Sequence, residues 1–190
     1  FVFSRSEYDK SGCKSLKSFA RYKKTALESI SYNGTDLSFL HITKHTFNDV
    51  CFDNADFSGV TLKSCVFNDC SFTNVKMNCA TIISSTFKNC NFMDADISAS
   101  DIYGTIFETT DNTNGMNSTS FNRTIIHSCK FIRQRMTEAT FRSAIIDNIL
   151  FSACNMSDTC FTGAHLDNVK FDANCDLYGS SLLPLCPETG

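Results

Sequence analysis

The chain has 190 residues, with 17 Lys and Arg against 20 Asp and Glu and a net charge of −3. That length holds a single hydrophobic core, and the acidic balance argues against a protein that binds nucleic acid through its overall charge. Two Pro, no Trp and no apolar run of the length of a signal peptide or transmembrane span leave a compact, non-membrane reading.

In chain order, the first element is a short amphipathic helix. From Ser15 to Ile30 the apolar residues Leu16, Phe19, Ala20, Tyr22, Ala26, Leu27 and Ile30 recur at helical spacing among Lys and Arg. Residues 1–34 are therefore expected to form an N-terminal segment whose helix covers the open end of the repeats that begin near residue 35. The chain begins at Phe1 rather than Met, which reads as a processed or excised piece.

From Leu37 onward a large apolar side chain recurs every five residues, a period that neither a helix nor an ordinary strand produces. The first series runs from Leu37 through Phe47, Phe52, Phe67, Phe72, Phe87 and Phe92 to Phe107. The second runs from Met116 through Phe121, Phe131, Phe141 and Phe151 to Phe171. Two places before most of these centres stands a small residue, such as Ala55, Cys70, Cys90, Thr119 or Cys154. Lining up every fourth repeat gives columns of like residues 20 positions apart: Phe47, Phe67, Phe87 and Phe107 in one, Phe52, Phe72 and Phe92 in another. The expectation is a solenoid with one coil per four repeats, in which each coil buries its apolar face only against its neighbours. The interior Phe are then packing residues, and the structural core is expected at Phe47, Phe52, Phe67, Phe72, Phe87, Phe92, Phe107, Phe131, Phe141 and Phe151.

Between Phe107 and Met116 the spacing is nine instead of five, and removing four residues there places Ile126 over Ile102 and Phe131 over Phe107. A polar loop is expected within 108–115. The regular series ends at Phe171, followed by the off-phase Leu177 and Leu182, so the repeats are expected to span 35–183. Residues 184–190 carry both prolines and read as an exit segment or linker.

The repeats Ala55-Asp56-Phe57, Ala95-Asp96-Ile97, Cys90-Asn91-Phe92, Cys154-Asn155-Met156 and Ala164-His165-Leu166 resemble the pentapeptide-repeat proteins, whose consensus is roughly Ala-(Asp/Asn)-(Leu/Phe)-X-X. The resemblance implies an all-β fold, a right-handed quadrilateral β-helix, here with a short N-terminal capping helix. In that fold the central residue and the small residue two before it fill the interior.

Chemistry-bearing residues are scattered. Of the 11 Cys, six (Cys65, Cys70, Cys90, Cys129, Cys154 and Cys175) fall in the small interior position, where a free thiol serves as a small hydrophobe. Cys70 and Cys90 are near enough in principle for a bridge, yet an odd total and interior placement favour reduced thiols in a reducing compartment. His41, His45, His127 and His165 are dispersed, with no nucleophile placed beside them and no phosphate loop or zinc motif. The expectation is no enzyme, no metal and no cofactor.

Charge is banded along the chain. Residues 1–43 carry 7 basic against 4 acidic groups, 44–111 carry 4 against 9, 112–145 carry 5 against 1, and 146–190 carry 1 against 6. The basic belt Arg123, Lys130, Arg133, Arg135 and Arg142, with Asp111 and Asn112 of the loop, is the candidate binding surface for a complementary protein. Gln134, the largest polar residue in an interior position, marks that wall as one expected to bulge.

The family resemblance supports two functional classes. In the first, the solenoid is a non-catalytic interaction module. Its irregular, Cys- and Phe-rich repeats resemble the β-helix domains of bacterial type III secreted effectors, including those in which such a domain precedes a HECT-like ubiquitin ligase. That resemblance implies a host-protein partner, a role in virulence and delivery to the host cytosol. In the second, the rod is a DNA mimic that binds DNA gyrase, which would call for continuous acidic faces and a C-terminal dimerising helix; the basic belt breaks the first requirement.

Overall fold

The computed structural model describes residues 9–12, 32–110 and 114–182. The expected helix over Ser15–Ile30, the loop residues Asp111 and Asn112, and the exit segment 184–190 lie outside the described residues.

The five-residue period becomes four walls. Successive repeats place strands in pairs along the chain: β1 (His41–Thr43) and β2 (Thr46–Asn48), β3 (Thr61–Lys63) and β4 (Val66–Asn68), β5 (Thr81–Ile83) and β6 (Thr86–Lys88), β7 (Asp101–Tyr103) and β8 (Ile106–Glu108). Past the insertion come β9 (Ile125–His127) and β10 (Lys130–Ile132), β11 (Ile145–Asp147) and β12 (Leu150–Ser152), β13 (His165–Asp167) and β14 (Lys170–Phe171). The odd-numbered strands stack in order into one parallel 7-stranded sheet, the first wall, and the even-numbered strands into a second, the second wall. The third and fourth walls are ladders of parallel bridges, Cys51 to Ser71 to Asn91 on one and Asp36 to Asp56 to Lys76 to Asp96 on the other. This is a four-walled parallel β-helix, the fold that the resemblance to pentapeptide repeats implies. At ~4.8 Å between neighbouring strands, seven levels make a rod of roughly 29 Å between the first and last strands.

One large side chain per repeat points inward because the residues on either side of it face out, as in any strand. Phe47, Phe52, Phe67, Phe72, Phe87, Phe92, Phe107, Phe131, Phe141 and Phe151 are all buried, none more than 1% exposed. On the second wall their rings form one continuous stack: centroids of Phe67 and Phe87 lie 4.8 Å apart at 2°, and those of Phe107 and Phe131 5.0 Å apart at 10°. Rings of the second and third walls meet edge to face, as between Phe67 and Phe72 at 5.3 Å and 74°. Each such pair contributes ~0.5–1.5 kcal/mol beyond its burial. The register crosses the insertion intact: Ile126 pairs with Ile102 and Phe131 with Phe107.

The small interior positions are also hydrogen-bonding positions. The thiol of Cys65 donates to the Ile42 carbonyl (3.3 Å), the Ser100 hydroxyl to Met77 (2.9 Å) and the Thr119 hydroxyl to Phe92 (2.7 Å), each acceptor lying in the coil before. Cys, Ser and Thr are thus equivalent there: small enough for the interior and able to satisfy a buried carbonyl. Gln134 is 3% exposed and its amide donates to the Ile132 carbonyl (3.3 Å). The expected bulge is not seen above it, since the Gln134 carbonyl still accepts the Asn155 amide at 2.9 Å.

From Phe39 on, each regular corner is turned by the residue two places after the centre, held in the left-handed region; Thr109 and Ala173, at the two breaks in the period, are the exceptions. Lys44 (φ 52), Asp49 (φ 53), Asn54 (φ 59) and Gly59 (φ 64) turn the four corners of the first coil. Asn, Asp, Ser and Gly tolerate this conformation, yet Phe39, Arg133 and Glu138 adopt it too. The inter-coil bonds impose it: the amide of Asp49 donates to the Asn68 carbonyl and that of Asn54 to the Thr73 carbonyl, both at 2.9 Å. Gly59 suits its corner in two ways, by its φ and because a Cβ there would stand 2.6 Å from the Phe39 ring and push that exposed side chain aside.

Replacing Phe87 by Asp buries an unpaired carboxylate in the stack at a cost of several kcal/mol. The expected outcome is loss of the cooperative melt and of the β circular dichroism signal, whereas Phe87→Leu keeps the fold at a lower melting temperature. A native spectrum and unchanged melt for Phe87→Asp would contradict the register.

Candidate interaction surfaces

The insertion lies between the second and third walls, and its described ends, 108–110 and 114–115, are held against the neighbouring coils. Glu108 still ends β8, opposite Ile132, and the Thr109 amide donates to the Ile132 carbonyl (3.2 Å). Thr109 does not take the left-handed conformation of the other corner residues; it is 1% exposed. Gly115 is already back in the third wall, its carbonyl accepting the Phe92 amide (2.7 Å). One residue of the coil below clasps both ends of the excursion. The Asn89 side-chain oxygen accepts from the Thr110 amide (2.8 Å) and hydroxyl (3.0 Å), and its backbone carbonyl accepts from Asn114 (3.1 Å). The returning chain passes so close to the next coil that a Cβ on Gly115 would lie 2.6 Å from the Arg135 carbonyl oxygen.

The basic belt does not form one surface. Arg133 turns the corner between the second and third walls and Arg135 stands beside it on the third, bridged to Asn155. Arg123 and Arg142 sit at the diagonally opposite corner, where the Arg123 amide donates to the Arg142 carbonyl (2.8 Å). Lys130 lies on the second wall between Ile106 and Leu150. Residues five apart in sequence fall on different walls, so a cluster along the chain becomes a ring around the rod. Arg133 and Arg135 come together in a groove of about 350 Å³ that they line with Gln134, Asn155, Asn174 and Asp176.

A second feature was not anticipated. The first wall carries three large apolar side chains in the open, Tyr103 (52% exposed), Ile125 (48%) and Ile145 (49%). Ile125 and Ile145 are cross-strand neighbours, and Tyr103 pairs with His127. The Tyr103 and His127 rings stack at 5.2 Å and 19°. His127 Nδ1 lies 2.6 Å from Asp147 Oδ2. Ile125 and Ile145 thus form one apolar column, and Tyr103 belongs to the column of His127 and Asp147 next to it; apolar and polar groups side by side on a rigid sheet are the composition of an interface core and its rim. The sequence signal was present: the residue before each centre is usually polar, and the doublets Ile125-Ile126 and Ile145-Ile146 break that rule.

The cysteines sort by burial. Burial pushes Cys129 up to about 11 and Cys154 up to about 12. Cys90 is also pushed well up by burial, while its side-chain hydrogen bond to Cys70 holds the latter down. At Cys160 burial is the largest single influence and raises the thiol, but hydrogen bonds with Thr162 and Ser181 and the charge of Arg142 together outweigh it, and the thiol sits below its ordinary value. No cluster of three or more His, Cys, Asp or Glu suited to a metal occurs among the described residues.

The family model for pentapeptide repeats matches eight copies, over residues 51–89 and 135–172, and the chain is similar to that family over those segments. No curated protein sequence matches it. Among solved structures it is similar to full-length QnrB1, a plasmid-mediated fluoroquinolone resistance protein, at 17% identity over 75% of this chain and 86% of that one, with a TM-score of 0.37. It is also similar to HetL of the cyanobacterium Nostoc sp. strain PCC 7120, a pentapeptide repeat protein involved in heterocyst differentiation regulation, at 9% identity over 87% and 96% of the two chains, with a TM-score of 0.25. A pentapeptide repeat protein of the Arabidopsis thaliana thylakoid lumen is similar at 13% identity over 68% and 66%, with a TM-score of 0.23.

This geometry has two measurable outcomes. Gly115→Ala forces the returning chain off Arg135 and is expected to lower the melting temperature by several degrees, while Asn114→Ala, which removes one clasp bond, lowers it less; a calorimetric scan separates them. In thiol labelling at pH 8, Cys160 is expected to react first among the described cysteines, and Cys129 and Cys154 only on unfolding. Mass spectrometry of the labelled peptides reads the order, and early labelling of Cys154 would contradict the interior placement.

Proposed function

We propose that this rod is a non-catalytic protein-binding module that docks its partner on the first wall, and that it serves as the target-recognition domain of a bacterial secreted effector with a host protein as target. The observation that carries the binding reading is the exposed strip of Tyr103, Ile125 and Ile145. These side chains stand on strands bonded to neighbours on both sides, so binding orders no backbone and the apolar contact is not offset by that cost. The His127–Asp147 pair beside them supplies a polar edge that fixes orientation. The effector reading rests on the Cys- and Phe-rich repeats and their likeness to effector β-helix domains. Among the described residues no helix is long and apolar enough to cross a membrane.

The test is affinity capture from eukaryotic and bacterial lysates in parallel, with the native chain and the Ile125→Asp/Ile145→Asp variant as baits. Both side chains are half exposed, but the new carboxylates stand opposite each other beside Asp101, so the variant is expected to fold with a lowered melting temperature, which a control melt reads. Loss of a eukaryotic partner on substitution, with binding weakened roughly thirtyfold or more (about 2 kcal/mol) in a direct titration, is the expected result. Equal capture by both baits would remove the first wall from the account, and capture of DNA gyrase from the bacterial lysate would replace the effector reading.

A further inference from the structure

The five-residue period slips twice, and both slips fall on the same edge of the rod. Four residues are inserted between Phe107 and Met116, and one between Phe171 and Leu177; each lies at the corner from the second wall to the third. Two regular coils are held between these irregular ones, and their corner residues, Arg133 and Ala153, line the groove. The lower rim is the coil that carries the insertion. There the Thr109 carbonyl accepts a hydrogen bond from Arg133 Nε (3.0 Å), which fixes the guanidinium with one of its five donors. The upper rim is the second slip. Asp172 occupies it and is consumed by the fold, accepting from the Ser152 hydroxyl (2.5 Å), the Ala153 amide (3.0 Å) and the Asn174 amide (3.0 Å). Asp176, across the groove from the arginines, is engaged by the Tyr178 amide (3.0 Å) and the Ser157 hydroxyl (3.4 Å). Among the described residues no ion pair joins Arg133 to either carboxylate; the close pair there is His127 with Asp147, on the first wall.

We propose that this groove binds an extended polypeptide segment bearing a carboxylate side chain. The carboxylate sits against Arg133 and Arg135, whose planar forks match it in bidentate geometry. The Asn155 side-chain oxygen accepts from the Ser157 amide and hydroxyl, so Asn155 offers its amide donors, and Asn174 offers a donor and an acceptor, to the peptide groups beside it. About 350 Å³ is more than one small anion fills and falls in the range of sites for short peptides and drug-sized molecules. Asp176 sets the polarity of the ligand, disfavouring a second acid at that end. The site is separate from the first wall, and its existence does not depend on what docks there.

The experiment is fluorescence anisotropy with the whole chain and two labelled probes, the peptide Gly-Glu-Gly-Gly-Gln-Gly and its analogue with Gln in place of Glu, at low and physiological salt. The acidic probe is expected to bind and the Gln analogue at least tenfold more weakly. The Arg133→Gln/Arg135→Gln variant is expected to lose at least tenfold, while Arg123→Gln/Arg142→Gln, which removes the same charge at the opposite corner, binds as the native chain does. Asn174→Asp, which keeps both arginines and adds a carboxylate to the groove, is expected to weaken binding at least fivefold and keeps the test open should the double arginine variant fail to fold. Equal binding of both probes, equal loss in the two arginine pairs, or displacement of the probe by millimolar inorganic phosphate alone would overturn the proposal. Because none of these substitutions touches Tyr103, Ile125 or Ile145, failure here leaves the first-wall reading standing, and the converse holds.

Discussion

Everything in this rod depends on closing each coil so that like side chains stand above like at the spacing of hydrogen-bonded strands. A stack of rings such as Phe67, Phe87 and Phe107 has centroids 4.8 and 5.0 Å apart, close to the separation that parallel strands impose. Backbone pairing and aromatic packing therefore select one register together. A single-residue error would turn the large side chains outward and bring their polar neighbours inward. The corner residues bear the cost. Forcing residues such as Phe39, Arg133 and Glu138 into the left-handed region is unfavourable by ~1–2 kcal/mol each, and the inter-coil bonds must offset it at every turn.

That rigidity is also what makes the surface useful. Outward positions are arranged on a fixed lattice, so residues 20 apart in sequence become neighbours and residues five apart do not. On the first wall Ile125 and Ile145 meet in this way, as do Tyr103, His127 and Asp147 in the column next to them. The lattice also localises irregularity. Inserted residues are expelled at a corner, where Asn89 and Gly115 hold the departure and the return in place without disturbing the stack beneath. Both slips occur at one corner, and a groove is framed between them.

The period of large residues was legible in the sequence because burial leaves it no freedom: each Phe from Phe47 to Phe107 had to lie inside. The number of inserted residues was legible for the same reason, since only a shift of four restores Ile126 over Ile102. The limits of the insertion were not. Glu108, Thr109 and Gly115 are held by backbone pairing that no side-chain pattern reports. The basic belt looked like one surface because it was read along the chain, whereas the fold wraps the chain around four walls and leaves Arg123 and Arg142 diagonally opposite Arg133. The groove around Arg133 and Arg135 needs Asn174 and Asp176, which lie some 40 positions on and past the second slip. The doublets Ile125-Ile126 and Ile145-Ile146 did carry the first-wall strip, and it becomes visible once the outward positions are read by coil.

The central claim is that the chain counts in units of five and that residues 110–113 are additions to that count. Deleting those four residues and following thermal unfolding by circular dichroism tests it most directly, with deletion of 110–112 as the comparison. The four-residue deletion joins Phe107 to Met116 at the regular spacing and is expected to retain a cooperative β-type melt within a few degrees of the native chain. The three-residue deletion leaves one residue out of count and is expected to melt lower. Loss of folding on removing four residues, with three tolerated as well or better, would contradict the register on which the walls, the strip and the groove all rest.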